Sequence, residues 1–208
     1  MKQNFDLSIY FVADPHACAG RDIAQVVMAA AQGGVTMVQL RNKVDPRPLV
    51  AAQAAMLCEL LKPYKIPFLV NDYVEIARDV GADGAHIGQG DIPASEARKI
   101  LGPDAILGLT AFTEEHINAV DPALVDYIGT GPFFPTQTDK GKPVLGAERF
   151  ANLIKRAPVP VVGIGGITPD NAALVLQAGA DGVAMMRSVS EADDPCEAAR
   201  KFVKLTER

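Results

Sequence analysis

Val159-Pro160-Val161-Val162-Gly163-Ile164-Gly165-Gly166-Ile167-Thr168-Pro169 passes from an apolar, β-branched run through a glycine-rich turn toward a helix start. Its first six residues are apolar throughout, as in a strand covered on both faces rather than half-exposed. Thr168-Pro169 sets a capping hydroxyl before a proline suited to the first helical position. Beyond Leu174 and Gln177-Ala178, Gly179 supplies a left-handed stop. A strand, a short loop, a helix and a further apolar run make one βα unit of a parallel sheet.

The same pattern recurs along the chain without repeating its sequence. Apolar runs lie near 7–13, 35–41, 66–71, 83–88, 105–110, 125–131, 159–164 and 181–186. Helical segments fall at 20–32, 47–62, 73–80, 93–101, 113–119, 147–156, 169–178 and 192–205. Asp45-Pro46 repeats the cap-and-proline device, and Leu49, Ala52, Met56, Leu57 and Leu60 share a helical face. Eight successive units close most economically into a (β/α)8 TIM barrel, a fold that takes about 200 to 250 residues. The expectation is therefore an α/β chain with one barrel domain over 1–208. An open doubly wound sheet is the alternative, but no GxGxxG follows the first strand.

Composition narrows the function. The chain has 208 residues, 49% hydrophobic, and a net charge of −5. It carries no basic block and few aromatics, which disfavours nucleic acid as a partner. No stretch is long and apolar enough to cross a bilayer, and Met1–Asp6 lacks a signal-peptide hydrophobic region. Cys18, Cys58 and Cys196 form neither a CxxC pair nor an even framework, so a reducing cytoplasm is expected. A homo-oligomer is allowed. Net charge does not forbid an anionic ligand, because a local cationic cleft focuses potential against the global sign.

The strand ends carry that cleft. In Met37-Val38-Gln39-Leu40-Arg41-Asn42-Lys43, the polar Gln39, Arg41 and Lys43 share one parity and aim at the barrel axis or its mouth. Arginine's planar fork and lysine's point charge together suit a diphosphate, with an internal ion pair to Asp72 or Asp91 as the plainer reading. Asp72 closes the third strand and Asp91 follows the fourth, so neighbouring loops bring them together. Two carboxylates with few other protein ligands suit Mg2+, which keeps waters and shares phosphate oxygens. Each could instead cap the helix that follows it.

Glycine-rich loops that run into helices expose N–H groups, and the loops after strands seven and eight are the recurrent phosphate site of these barrels. Gly163–Thr168 stands in that place, followed by Met186-Arg187-Ser188 at the end of strand eight. Arg187 reads equally as a phosphate ligand or a solvated cation. The loop 129–142 is long for a βα connection, and Thr136 and Thr138 offer it hydroxyls for phosphate. His86 lies inside the fourth strand as a core or near-site residue, while His16 and His116 are peripheral. No Ser-His-Asp set, zinc spacing or catalytic cysteine is present.

VQLRNK at 38–43, ND at 71–72, GAHIGQGD at 84–91, GLTA at 108–111, GTGPFFPTQT at 129–138, GIGGIT at 163–168 and GADGVAMM at 179–186 stand in order over nearly the whole chain. On this ordered set the sequence resembles the thiamine phosphate synthase family. The resemblance implies a (β/α)8 transferase that joins hydroxymethylpyrimidine diphosphate to thiazole phosphate and releases pyrophosphate. It implies that Gln39, Arg41, Lys43 and Asn71 hold the pyrimidine diphosphate, that Asp72 and Asp91 hold Mg2+, and that Thr110 stands near the diphosphate. Thr136, Thr138 and Gly166 would bind the thiazole phosphate, with backbone at Met186 and Ser188 close by. The family usually reads Thr-x-Thr-Lys where this chain has Thr136-Gln137-Thr138-Asp139-Lys140, which makes Lys140 the substitute for a lysine displaced by one position. It commonly has serine where Arg187 stands. If pyrophosphate leaves before the thiazole nitrogen attacks, Mg2+, Arg41 and Lys43 absorb the negative charge and no strong base is needed. A thiazole tautomerase, which would want a base such as histidine, and a non-catalytic thiamine-phosphate-binding barrel are the rival readings.

Overall fold

The computed structural model describes residues 5–138, 141 and 143–206. Eight parallel strands close into a barrel in chain order: β1 (Ile9–Ala13), β2 (Met37–Leu40), β3 (Phe68–Asn71), β4 (Gly84–Ile87), β5 (Ile106–Thr110), β6 (Tyr127–Thr130), β7 (Val161–Ile164) and β8 (Gly182–Met185). Around them run α1 (Ile23–Gln32), α2 (Arg47–Leu61), α3 (Val74–Val80), α4 (Ala94–Leu101), α5 (Glu114–Asn118), α6 (Gly146–Ile154), α7 (Ala172–Gln177), α8 (Arg187–Ser190) and α9 (Pro195–Thr206). The pairing of Ile9 with Val183 closes the ring. The (β/α)8 barrel expected from the sequence is the fold found.

Strand alternation divides the core in two. Tyr10, Val12, Met37, Leu69, Tyr127 and Val162 fill the barrel interior. Their neighbours of opposite parity, among them Ile9, Phe11, Val38, Phe68, Val70 and Ile128, pack outward against the helices. Both sides are buried, which is why these strands read as continuous apolar runs.

One device recurs four times at the N-terminal rim. Thr36 Oγ1 accepts the Ile9 N–H at 3.0 Å, and Asp83 accepts that of Phe68 at 2.8 Å. Asp126 accepts the Leu107 N–H at 2.8 Å and Asp181 that of Val161 at 2.7 Å. The backbone N–H of each of these four residues returns a bond of 2.8–2.9 Å to the carbonyl of the same strand residue. Every even strand is thus preceded by a polar side chain that clamps the start of the odd strand before it. Strand-start N–H groups would otherwise go unpaired at this rim. Asp126 also holds Arg98 at 2.6 Å, in a largely buried ion pair.

Local details depart from the sequence reading where caps and faces are concerned. Pro46 is the N-cap residue of α2 and makes no side-chain bond; Asp45 instead accepts from Asn42 Nδ2 at 2.7 Å and lies 3.2 Å from His16 Nε2. Thr168-Pro169 forms a turn rather than a helix start, with α7 beginning at Ala172. Asn171 Oδ1 accepts the Thr168 N–H at 2.8 Å, and its Nδ2 donates to Gly166 O at 3.0 Å, tying the glycine loop down. The buried face of α2 is Val50, Ala54, Leu57, Cys58 and Leu61. Small Ala54 and Cys58 let this helix approach the barrel, leaving Leu49 and Met56 46% and 38% exposed. Gly179 does adopt the left-handed conformation expected of a stop (φ 101°).

Candidate active site

Among the described residues, the polar side chains that the sequence marks as a site lie at or just beyond the C-terminal ends of the strands. Asp72 follows β3 with φ at 65°, a left-handed conformation that costs a non-glycine residue energy and that Ala19 and Lys65 also adopt. Its carboxylate lies 2.9 Å from Lys43 Nζ and within hydrogen-bonding reach of Asp91. Burial pushes the Asp72 carboxyl above the usual range; Lys43 pulls it down, and Asp91 pushes it up again. Asp91 Oδ2 also accepts the Gly88 N–H at 2.6 Å. Neither carboxylate caps its following helix: the N-cap residues of α3 and α4 are Tyr73 and Pro93, and neither makes a side-chain capping bond. Among the described residues no three His, Cys, Asp or Glu side chains form a group able to hold a metal. The Asp72/Asp91 pair offers two hard oxygen donors, with remaining positions for water and ligand oxygens.

Arg41 lies beyond the end of β2 and pairs with Asp14, not with Asp72 or Asp91. Asp14 is buried at the end of β1, where its Oδ1 accepts the His16 N–H at 3.0 Å and its carbonyl accepts Cys18 S–H at 3.2 Å. The guanidinium is therefore held in place by a residue that the sequence reading did not single out. Asn71 Nδ2 is buried with no partner among the described residues. Thr110, at the end of β5, meets His86 Nε2 at 2.9 Å through its hydroxyl, and its carbonyl accepts from Gln89 Nε2 at 2.6 Å. Burial lowers the His86 pKa to about 4, which keeps the imidazole neutral.

The opposite side of the mouth is built by the connections after β6, β7 and β8. Phe133 and Phe134 donate their N–H groups to Ile164 O and Gly165 O at 2.8 and 3.0 Å. Gly166, at φ 66°, permits this closeness, since a Cβ there would stand 2.4 Å from Pro135 O. Thr136 Oγ1 accepts the Thr138 N–H at 3.2 Å, and the Thr138 hydroxyl reaches Met186 Sδ at 4.0 Å. At the end of β8, Arg187 Nε and Ser188 Oγ are buried without partners among the described residues, while Arg187 Nη1 pairs with Glu191. Unsatisfied buried donors beside a glycine loop are the features of an anion site. Lys140, with Asp139 and Lys142, lies outside the described residues.

The site residues of the sequence reading thus form two neighbouring groups. Gln39, Arg41, Lys43, Asn71, Asp72, Asp91 and Thr110 belong to β2–β5, and Thr136, Thr138, Gly166, Met186 and Ser188 to β6–β8. Asp14 and Asn171 were missed; their signals were a carboxylate closing the first strand and an amide after a Gly-Gly turn.

A family model described as thiamine monophosphate synthase matches residues 9–189. A thiamine-phosphate synthase of Azorhizobium caulinodans is 43% identical, with 100% of this chain and 98% of that protein covered. One of Bacillus velezensis is 41% identical over 94% of this chain and 89% of its own length. A solved thiamine phosphate pyrophosphorylase from Pyrococcus furiosus superposes with a TM-score of 0.87 at 32% identity, covering 97% and 96% of the two chains. An orotidine 5'-phosphate decarboxylase from Pyrococcus horikoshii, at 15% identity and a TM-score of 0.68, shares the fold alone.

Proposed function

The chain belongs to the thiamine monophosphate synthase family, and from that premise we propose that it condenses hydroxymethylpyrimidine diphosphate with thiazole phosphate, releasing pyrophosphate, with Mg2+ as cofactor. The observation that carries the reading is the Asp72/Asp91 pair: two adjacent carboxylates, one strained and raised in pKa, neither serving its helix, beside the cation of Lys43. Bound Mg2+ would neutralise charge on the diphosphate and make it a better leaving group. Asp72 and Asp91 would hold it.

This chain's own residues supply the rest. Arg41, fixed by Asp14, and Lys43 present positive charge to the departing diphosphate from the rim of the barrel. The unpartnered Asn71 amide supports a polar ligand beside them. Thr136, Thr138, Gly166 and backbone at Met186 and Ser188 would seat the thiazole phosphate across the mouth, in line with the pyrimidine carbon. Lys140 is proposed to add charge there. A tautomerase would want a base, and His86 has both ring nitrogens engaged in hydrogen bonds. The cytoplasm and small-molecule partners fit this chemistry, and no described helix is long and apolar enough to cross a membrane.

The test is direct. With both substrates and Mg2+, the protein releases pyrophosphate and forms thiamine phosphate, and EDTA stops both. Silence under saturating substrates and metal would end the synthase reading; turnover unaffected by EDTA would end the metal assignment alone.

A further inference from the structure

Five polar side chains from five strands make one continuous hydrogen-bonded file through the barrel interior. Gln39 Nε2 donates to the Tyr10 hydroxyl, and the Tyr10 and Tyr127 hydroxyls lie 2.7 Å apart. Tyr127 Oη is 2.9 Å from His86 Nδ1, and His86 Nε2 is 2.9 Å from Thr110 Oγ1. Tyr10 and Tyr127 are 1% and 0% exposed, so no bulk solvent completes their bonds. The barrel makes room for the file: a Cβ on Gly108 would sit 2.2 Å from the Tyr127 ring and 2.5 Å from His86 Nδ1. Phenylalanines would fill the same space without the desolvation cost of three buried polar groups.

Each member has few choices. A phenol and a threonine each have one proton to donate, and a neutral imidazole has one N–H. Burial keeps both phenols protonated and His86 uncharged. Gln39 spends an amide hydrogen on Tyr10. Tyr10 then donates to Tyr127, Tyr127 donates to Nδ1, and Nε2–H donates to Thr110 Oγ1. The Thr110 hydrogen is left over, free for a ligand. The reverse order requires Gln39 to turn its carbonyl inward and Thr110 to spend its hydrogen on the imidazole. A mixed order, with Tyr10 accepting from both neighbours, would strand a buried hydroxyl hydrogen without an acceptor, so the file favours the two ends switching together.

The geometry points to Tyr10, Tyr127 and His86 as positioning residues that fix the Thr110 hydroxyl as a donor toward the diphosphate and tie its direction to the amide orientation of Gln39. The inference rests on the synthase reading for what Thr110 and Gln39 face. A hydroxyl free to rotate would spend part of its time with a lone pair toward the anion, whereas a preset one costs nothing to align when charge develops. Gln39 Oε1 is left as an acceptor for a donor on the pyrimidine. Correct seating of that ring and readiness of Thr110 become one event.

The test reads the proton directly. The protein has three histidines, and 15N-histidine spectra of wild type, assigned by loss of the His86 signals in His86→Gln, report which ring nitrogen is protonated, alone and with Mg2+ and pyrophosphate. Protonation of Nε2 in both conditions is expected. In Tyr127→Phe the tautomers mix, and kcat falls on the order of tenfold with both KM values within about twofold. His86→Gln, whose amide N–H can still reach Thr110, retains on the order of ten times more turnover than His86→Asn. Protonation of Nδ1 in wild type overturns the inference whatever the activity. So does wild-type turnover in Tyr127→Phe, or equal turnover in the two His86 variants should Tyr127→Phe not fold. Absence of pyrophosphate release by wild type sinks the synthase reading instead, while the spectrum still decides the direction of the file.

Discussion

Asp91 offers the sharpest residue-level test, because its structural and proposed metal duties separate. Asparagine in its place can still accept the Gly88 N–H but carries no charge. Asp91→Asn should therefore unfold within about 1 kcal/mol of wild type in urea. Turnover at saturating Mg2+ should drop on the order of a hundredfold. Full turnover would remove Asp91 as a metal ligand. His86 gives a second test, in stability. Its folded pKa of about 4 lies below the ordinary 6.5, so between those values the unfolded chain binds the extra proton. The His86 contribution is intact above pH 6.5 and drains as pH falls toward 4. Asp72, shifted upward, works in the opposite sense, so the His86 share is the difference between wild type and His86→Gln. From pH 7 to pH 5 the wild type should lose about 2 kcal/mol more than that variant in urea unfolding. At this scale the sequence was readable wherever a charge interrupted an apolar run, as at Lys43, Asp72 and Asp91. Tyr10 and Tyr127 escaped notice because a tyrosine inside a strand is ordinary β-structure until its hydroxyl's neighbours are known.

Elements were legible as types more than as surfaces. Eight β-branched runs located eight strands, but the ladder starts about two residues into several of them: β3 begins at Phe68 rather than 66. The face of α2 is offset from the one its apolar residues suggest: Leu57 is buried as expected, but Leu49 and Met56 are on the outside, and Val50, Ala54, Cys58 and Leu61 complete the buried face. Arg187–Ser190 makes a single turn, too short for periodicity to announce. Within β5, Gly108 marks where the strand gives up side-chain volume to Tyr127 and His86. Gly108→Ala puts a methyl group into that fully buried ring, and overpacking of this kind costs about 1–3 kcal/mol. Urea unfolding should show that loss, and turnover should fall with it. A neutral result would mean that the Tyr127 ring can move aside.

The whole molecule is a ring of four βαβ quarters, each latched at the N-terminal rim by Thr36, Asp83, Asp126 or Asp181. Half of this was written plainly in the chain, since Gly-Ala-Asp-Gly occurs at both 81–84 and 179–182. The other half uses unrelated words, Thr36 and Asp126, which only the closed ring shows to be equivalent. The latches also decide where the polypeptide can be reopened. Circular permutants that begin just before an even strand, at Gly34 or Ala180, set a latch residue within two positions of a fraying terminus. A permutant that begins at Lys65, ahead of β3, severs no quarter. Denaturation midpoints should rank it as the most robust of the three, by about 1 kcal/mol over Gly34 and more over Ala180, where the latch is a carboxylate. The chain is thus divisible at alternate seams, and a designer recombining such barrels would exchange quarters rather than single strand-helix pairs.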